Sequence, residues 1–358
     1  MQGISLFSSA GIGELYLKDI GVEIVAANEL IEKRAKIYSY FYPKTDMICG
    51  DIRKKSVKKK IKSYINDDIS LLIATPPCQG LSSVGKNKVQ EHWAEDRRNF
   101  LIFDILDIID FGNFDYIIIE NVPRFLKMFF PHGKEFKTLQ EILNKKYFNE
   151  YIIDIGILDA KDCGIPQTRP RAIIKMYRKG LAWSWPKKEK IITLKEAIGH
   201  LPSLEAGEKS DIPWHYAIPH PEQIVEALKH TPPGKSALKN KFHYPKRKDG
   251  TKINGFHNTY KRMVWDQPAH ARTTYCGSIS SHNNVHPGRL LADGTYSDAR
   301  VLTLLETFIV SSIKPDIKFP EGTSDAFIRT LIGESIPPLM FQKILREINV
   351  VRQLTLSI

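Results

Sequence analysis

Cysteine is scarce in this chain: four among 358 residues, Cys49, Cys78, Cys163 and Cys276, none in a C-x-x-C pair. That spacing argues against a disulfide framework and a structural zinc ribbon, so a reducing, cytoplasmic compartment and no bound metal are expected. Long apolar runs are also missing. No window reaches the roughly eighteen residues of a spanning helix, and "MQGISLFSSAGIGE" lacks a charged n-region followed by a long apolar stretch, so no membrane association is expected. Neither an internal repeat nor a low-complexity tail is present. Acidic side chains are the minority, 40 against 52 Lys and Arg, a formal charge of +12. Such an excess suits a polyanionic partner and equally suits a lysine-rich solvated surface.

What is present is ample core material. Hydrophobic residues make up 42% of the chain, and the length predicts about two domains. Residues 1–178 alternate between strand and helix patterns, with short β-rich runs at "ISLF" (4–7), "VEIVAA" (22–27), "ISLLIA" (69–74), "YIIIE" (116–120), "YIIDIGIL" (151–158) and "RAIIKMY" (171–177). The pattern predicts an α/β fold with a mostly parallel sheet. In "RKKSVKKKIKSYI" (53–65), Val57, Ile61 and Tyr64 recur at helical spacing, which predicts an amphipathic helix with a solvated lysine face. Beyond residue 178 the chain is rich in Pro, Gly, His, Lys and aromatics with little periodicity. That texture predicts a loop-rich second domain.

Ligands of open parallel sheets bind beyond the carboxyl ends of the strands, and four such ends carry polar or reactive groups. "LFSSAGIGE" makes a small-residue turn that allows close approach of a ligand to backbone N–H groups. Glu29 in "VAANEL", about twenty residues on, suits either hydrogen bonds from ribose hydroxyls or the dipole of a helix start. Cys78 in "TPPCQG" leaves an apolar strand toward a polar, glycine-bearing loop, where a lowered pKa would make a thiolate nucleophile. Glu120 in "IIIENV" either serves as a proton donor held near apolar walls or makes a local structural pair.

Taken in order, "LFSSAGIGE", "NEL", "GDI", "TPPCQG", "DRRNFL", "ENV", "QTRPRAI" and "IGESIPP" resemble the blocks of C5-cytosine DNA methyltransferases of the bacterial restriction-modification type. They run from residue 4 to about 340. The resemblance implies a Rossmann-like methyltransferase sheet that binds S-adenosyl-L-methionine, with residues 1–178 as catalytic and cofactor domain, 179–328 as target recognition domain and 329–358 as a returning segment. It implies cofactor contacts from Phe7, Ser8, Ser9, Ala10, Gly11, Ile12 and Gly13, from Glu29 and Leu30, from Asp51 and Ile52, and from Pro76 and Ser335. Cys78 is implied as the nucleophile that adds to C6 of a flipped cytosine, Glu120 as the acid at N3, and Arg169 and Arg171 as arginines that orient the base and the catalytic loop. Gln79, Ser82, Gly85 and Lys86 fall on the loop that closes over DNA, and Arg272 is assigned a further DNA contact. The implied partners are double-stranded DNA and, functionally, a cognate restriction endonuclease; a monomer is expected.

Departures from the family pattern are local. Ser9 and Ile12 stand where glycine is usual, Glu334 where asparagine is, and "RVLTLLETFIVSSIKPD" lacks the usual Q-G-F-P. Amino methyltransferases carry an aromatic residue in the slot that Cys78 occupies. A tRNA methyltransferase of the same fold and a catalytically silent DNA-binding regulator are the alternative readings.

Overall fold

Runs of Ile, Leu and Val that are apolar at every position, rather than at alternate ones, make strands covered on both faces. A computed structural model, which describes residues 1–77, 100–247 and 249–355, has such strands where the sequence predicts them. In chain order the first unit holds β1 (Gln2–Leu6), β2 (Glu23–Glu29), α1 (Glu32–Phe41), β3 (Asp46–Cys49), α2 (Lys55–Lys62), β4 (Ile69–Ala74), α3 (Ile102–Phe111) and β5 (Tyr116–Asn121). An antiparallel hairpin, β6 (Phe129–His132) and β7 (Glu135–Thr138), then precedes α4 (Leu139–Tyr147) and β8 (Tyr151–Asp159). The two-residue β9 (Gln167–Thr168) follows, and then the long β10 (Pro170–Arg178).

Seven strands form the central sheet in the order β3-β2-β1-β4-β5-β10-β8. The five on the β3 side are parallel, whereas β10 runs antiparallel to both neighbours. Every residue of β5 is buried. α2 bears out its predicted face: Ile61 is fully buried, and Val57 and Tyr64 pack on the same core.

Two compact units divide the chain. The first comprises Met1–Asp159, Pro170–Pro186 and Phe341–Ile358; the second comprises Ala160–Arg169 and Lys187–Met340. These limits differ from the expected ones at 178/179 and 328/329, and side-chain packing gives the reason. Trp183 stacks edge-on to Tyr116 and donates its indole N–H to the Ile344 carbonyl at 2.8 Å, so both 179–186 and the last helix belong with the sheet.

The second unit is loop-rich, as its composition predicts. Its elements are α5 (Leu194–Ile198), α6 (Glu222–Lys229), β11 (Ala269–His270), α7 (Leu304–Val310) and α8 (Asp325–Glu334); α9 (Pro338–Thr355) begins within it. β11 pairs in parallel with β9. Two small apolar clusters, one around Leu194, Met263 and Leu302 and the other around Ile224, Val285 and Val301, supply its core. No helix among the described residues is long and apolar enough to cross a membrane.

Candidate active site and cofactor cradle

The carboxyl ends of β1, β2, β4 and β5 are adjacent because the strands are paired in register there, Leu6 opposite both Asn28 and Ala74, and Ala74 opposite Ile119. Side chains that leave these ends converge on one edge of the sheet.

The turn after β1 is held in an unusual backbone conformation. Phe7 (φ 60°) and Ser9 (φ 50°) are left-handed without being glycine, a cost of order 1–3 kcal/mol each that surrounding bonds must offset. Those bonds are present. Thr75 Oγ1 donates to the Phe7 carbonyl at 3.1 Å, Ser8 N–H to Asn28 O at 3.0 Å, and Ser9 N–H to Glu29 Oε2 at 2.9 Å. Gly11 (φ 73°) does need to be glycine: a Cβ there would lie 2.4 Å from the Tyr42 ring, whose hydroxyl donates to the Gly11 carbonyl at 2.7 Å. Ala10 and Ile12 are buried and Gly13 is half-buried. What this turn offers a ligand is therefore backbone, with Phe7 and Ser9 half-exposed beside it.

Glu29 ends β2 with its carboxylate fixed between two N–H groups, Ser9 on Oε2 and Ile31 on Oε1 at 2.8 Å, and with Arg34 at 3.8 Å. Each carboxylate oxygen can accept a second bond, which leaves capacity for a pair of vicinal hydroxyls. Leu30, next to it, is 60% exposed, an apolar surface that suits a flat heterocycle. Asp51, past β3, is gripped by Arg53 through Nε–Oδ1 at 2.9 Å and Nη2–Oδ2 at 2.6 Å, which lowers its pKa. Ile52 lies in the hydrophobic core, so only its backbone is available to a ligand. An acid placed for hydroxyls, an apolar cover and a second acceptor fit the nucleoside half of S-adenosylmethionine.

Glu120, on β5, is opposite Ile173 of β10, and Arg171 is the diagonal neighbour on the same face. Their side chains form an ion pair, Arg171 Nε to Glu120 Oε1 at 2.7 Å. The carboxyl thus has a cationic partner, as the pairing alternative anticipated, beside the apolar residues of β5. Asn121 donates Nδ2 to the Pro76 carbonyl at 3.1 Å and accepts from the Val122 N–H through Oδ1 at 2.8 Å, tying the end of β5 to the segment after β4. Cys78, Gln79, Ser82, Gly85 and Lys86 lie outside the described residues.

Arg169, Arg272 and Ser335 belong to the second unit. Arg169 is buried and donates to three backbone carbonyls, of Arg272 (2.7 Å), Gly333 (2.8 Å) and Ser335 (2.7 Å). Gly333 has no room for a side chain, since a Cβ would meet the Thr273 backbone at 2.3 Å. The Ser335 hydroxyl donates back to Leu331 O at 2.9 Å. Arg272, expected on DNA, is instead 2% exposed, with donors to His270 O, Asn284 Oδ1 and Asn283 O. Burial lowers its pKa to about 10. This guanidinium braces the segment that leads away from β11.

Residues the sequence did not single out also shape the cradle. Glu14 is buried beneath the first turn, accepting from Ser5 Oγ and Tyr38 OH at 2.6 Å each, and burial raises its pKa to about 7. Both had a positional signal, Arg53 directly after "GDI" and Glu14 at the end of "LFSSAGIGE", and neither position reveals the side chain's partners.

The profile of the family described as "C-5 cytosine-specific DNA methylase" matches residues 1–350. Type II methyltransferase M1.HgaI of Avibacterium volantium is 46% identical over 349 residues, 97% of this chain and 98% of that protein. Type II methyltransferase M1.HphI of Haemophilus parahaemolyticus is 27% identical over 95% of this chain and 84% of its own length. Among solved structures, a DNA modification methyltransferase encoded within an E. coli prophage superposes with a TM-score of 0.68 at 18% identity, covering 99% of each chain, a likeness of fold. The chain belongs to the C-5 cytosine-specific DNA methylase family.

Proposed function

We propose that this enzyme methylates C5 of one cytosine within a short duplex DNA sequence, and that it protects host DNA from a cognate restriction endonuclease. The observation that carries the reading is the Glu120–Arg171 pair beside Asn121, whose amide holds the Pro76 carbonyl two residues before Cys78.

Phe7 to Gly13, Glu29, Leu30, Asp51 and the Ile52 backbone would hold S-adenosylmethionine, which supplies an electrophilic methyl group when bound. C5 of cytosine is a poor nucleophile until C6 carries a thiolate, so Cys78 adds to C6 and makes C5 enamine-like. Glu120 gives a proton to N3, so negative charge does not build up in the ring, and Arg171 steadies the carboxylate that remains. C5 would then take the methyl group, leaving the demethylated thioether behind. Loss of the C5 proton to a base, return of the N3 proton to Glu120 and elimination of the Cys78 thiolate would regenerate the enzyme. A stacked cytosine cannot present C6, so the base is flipped out of the duplex first. The recognition role falls to residues of about 179–264, where phosphate contacts supply affinity and base-edge contacts specificity. Arg169 and Arg272 act as positioning residues within that unit, and the active species is a monomer.

The test is methylation of a DNA library by the wild-type chain and by Cys78→Ser, read by bisulfite sequencing, with a transcribed tRNA pool in parallel. Methylated cytosines at one short DNA motif, absent with Cys78→Ser while DNA binding persists, are expected. Methylation of tRNA alone would move the substrate to RNA; methylation of neither would leave a silent DNA-binding protein.

A further inference from the structure

A glutamate and a histidine four residues apart on a helix share one face, and the end of α6 carries such a pair. His230 Nε2 lies 2.9 Å from Glu226 Oε1, and His243, arriving from the segment after α6, brings Nδ1 to 3.7 Å from the same oxygen. The two imidazoles are stacked with centroids 3.7 Å apart. All three donor atoms fall within 4.8 Å of one another, on exposed side chains.

Two imidazole nitrogens and one carboxylate oxygen suit a borderline cation such as zinc, cobalt or nickel, and not magnesium or calcium, which take oxygen donors. Two donors on one tetrahedral zinc stand about 3.4 Å apart, given bonds near 2.1 Å. The observed 2.9 and 3.7 Å bracket that separation. Ligation needs only a turn of two exposed rings so that their lone pairs converge.

The backbone that carries the three groups is already fastened. Asn240, three residues before His243, donates Nδ2 to the carbonyls of Ala227 (3.1 Å) and His230 (3.3 Å) and to Thr231 Oγ1 (2.9 Å). Across the helix end, the Tyr296 N–H on Lys229 O at 2.8 Å holds the neighbouring turn.

We propose that Glu226, His230 and His243 form a transition-metal site of the zinc, cobalt and nickel class that clips the 240–243 segment to the end of α6, with water completing the coordination. The spacing, E-x3-H-x12-H, matches no cysteine-based zinc pattern, which is why the sequence led to an expectation of no metal.

The test is calorimetric titration of the full-length, untagged, chelator-treated protein with Zn²⁺ alone, with Mg²⁺ as a control. One zinc per chain is expected and no magnesium, with binding weakened at least about tenfold in both His243→Ala and Glu226→Gln. Co²⁺ loading should give visible bands that disappear in the same variants. These positions are on the surface, so circular dichroism should show the variants folded. Wild-type zinc binding no tighter than that of the His230→Ala/His243→Ala double variant would overturn the site.

Discussion

Glu14, the last residue of "LFSSAGIGE", is a buried carboxyl whose surroundings the block does not reveal. Its carboxyl is inside the first unit, bonded by Ser5 from β1 and Tyr38 from α1, with Tyr42 close by, and its pKa rises from 4.5 to about 7 because burial outweighs those donors. Below about pH 4.5 the folded and unfolded chains both hold the proton, and the group contributes no pH dependence. Between about 4.5 and 7 the unfolded chain releases it while the folded chain keeps it. Stability therefore falls as pH rises through that window, by on the order of 3 kcal/mol, and levels off above about 7. Glu14→Gln should flatten this slope, measured as urea midpoints of the first unit's transition at several pH values from 4.5 to 8. An unchanged slope in the variant would assign the dependence to other groups. At this scale the sequence was legible where a residue's place along a strand determines where it emerges, as with Glu29 and Glu120 at strand ends. It was not legible where the partner comes from elsewhere in the fold. Nothing in "QTRPRAI" says that Arg169 faces three carbonyls while Arg171, two residues on, meets Glu120, or that the Arg272 guanidinium is turned inward.

At the scale of elements, the same start signal appears three times with three T-L-x-E sequences, and burial decides what each is worth. Thr138–Glu141 and Thr193–Glu196 are exposed capping boxes. Thr303–Glu306, at the start of α7, is buried, and Glu306 also accepts from both terminal guanidinium nitrogens of Arg300, at 2.7 and 3.0 Å. Arg300 and Asp298 hold a further contact at 2.8 Å, and the Arg300 charge is what keeps the Glu306 pKa low, at about 2, against its burial. Removing one partner of a buried pair strands the other. Glu306→Gln should thus cost on the order of 3–5 kcal/mol, whereas Thr193→Ala should cost about 1 kcal/mol. Both boxes lie in the second unit, so midpoint shifts of one denaturation transition compare them directly, and equal shifts would refute the ranking. Strands were the most legible elements, because unbroken β-branched runs declare burial on both faces. β3 was missed because "DMIC" is short and only Ile48 in it is buried. The β6–β7 hairpin was missed too, since its apolar residues are interrupted by a proline and largely exposed.

Considered whole, the first unit is assembled from three separated stretches of chain; a returning C-terminal segment was expected, and the limits of the stretches are what differ. Composition changes near residue 178 because the sheet ends there, yet the chain stays with the sheet until Pro186 and returns at Phe341. Trp183 carries the connection, with its N–H on the Ile344 carbonyl, while Gln342 donates to the Tyr16 carbonyl at 3.0 Å. Phe341, Ile344, Leu345 and Ile348 are each at most 1% exposed. At roughly 1.5–3 kcal/mol for each buried side chain, these four contribute on the order of the 5–15 kcal/mol that separates folded from unfolded domains. A fragment of residues 1–186 should accordingly show no cooperative urea transition, despite containing every strand of the sheet. Adding a peptide of residues 338–358 should restore the transition, at a midpoint that rises with peptide concentration, as mass action requires. A fragment that unfolds cooperatively at the full-length midpoint without the peptide would mean that the last helix caps a core already complete.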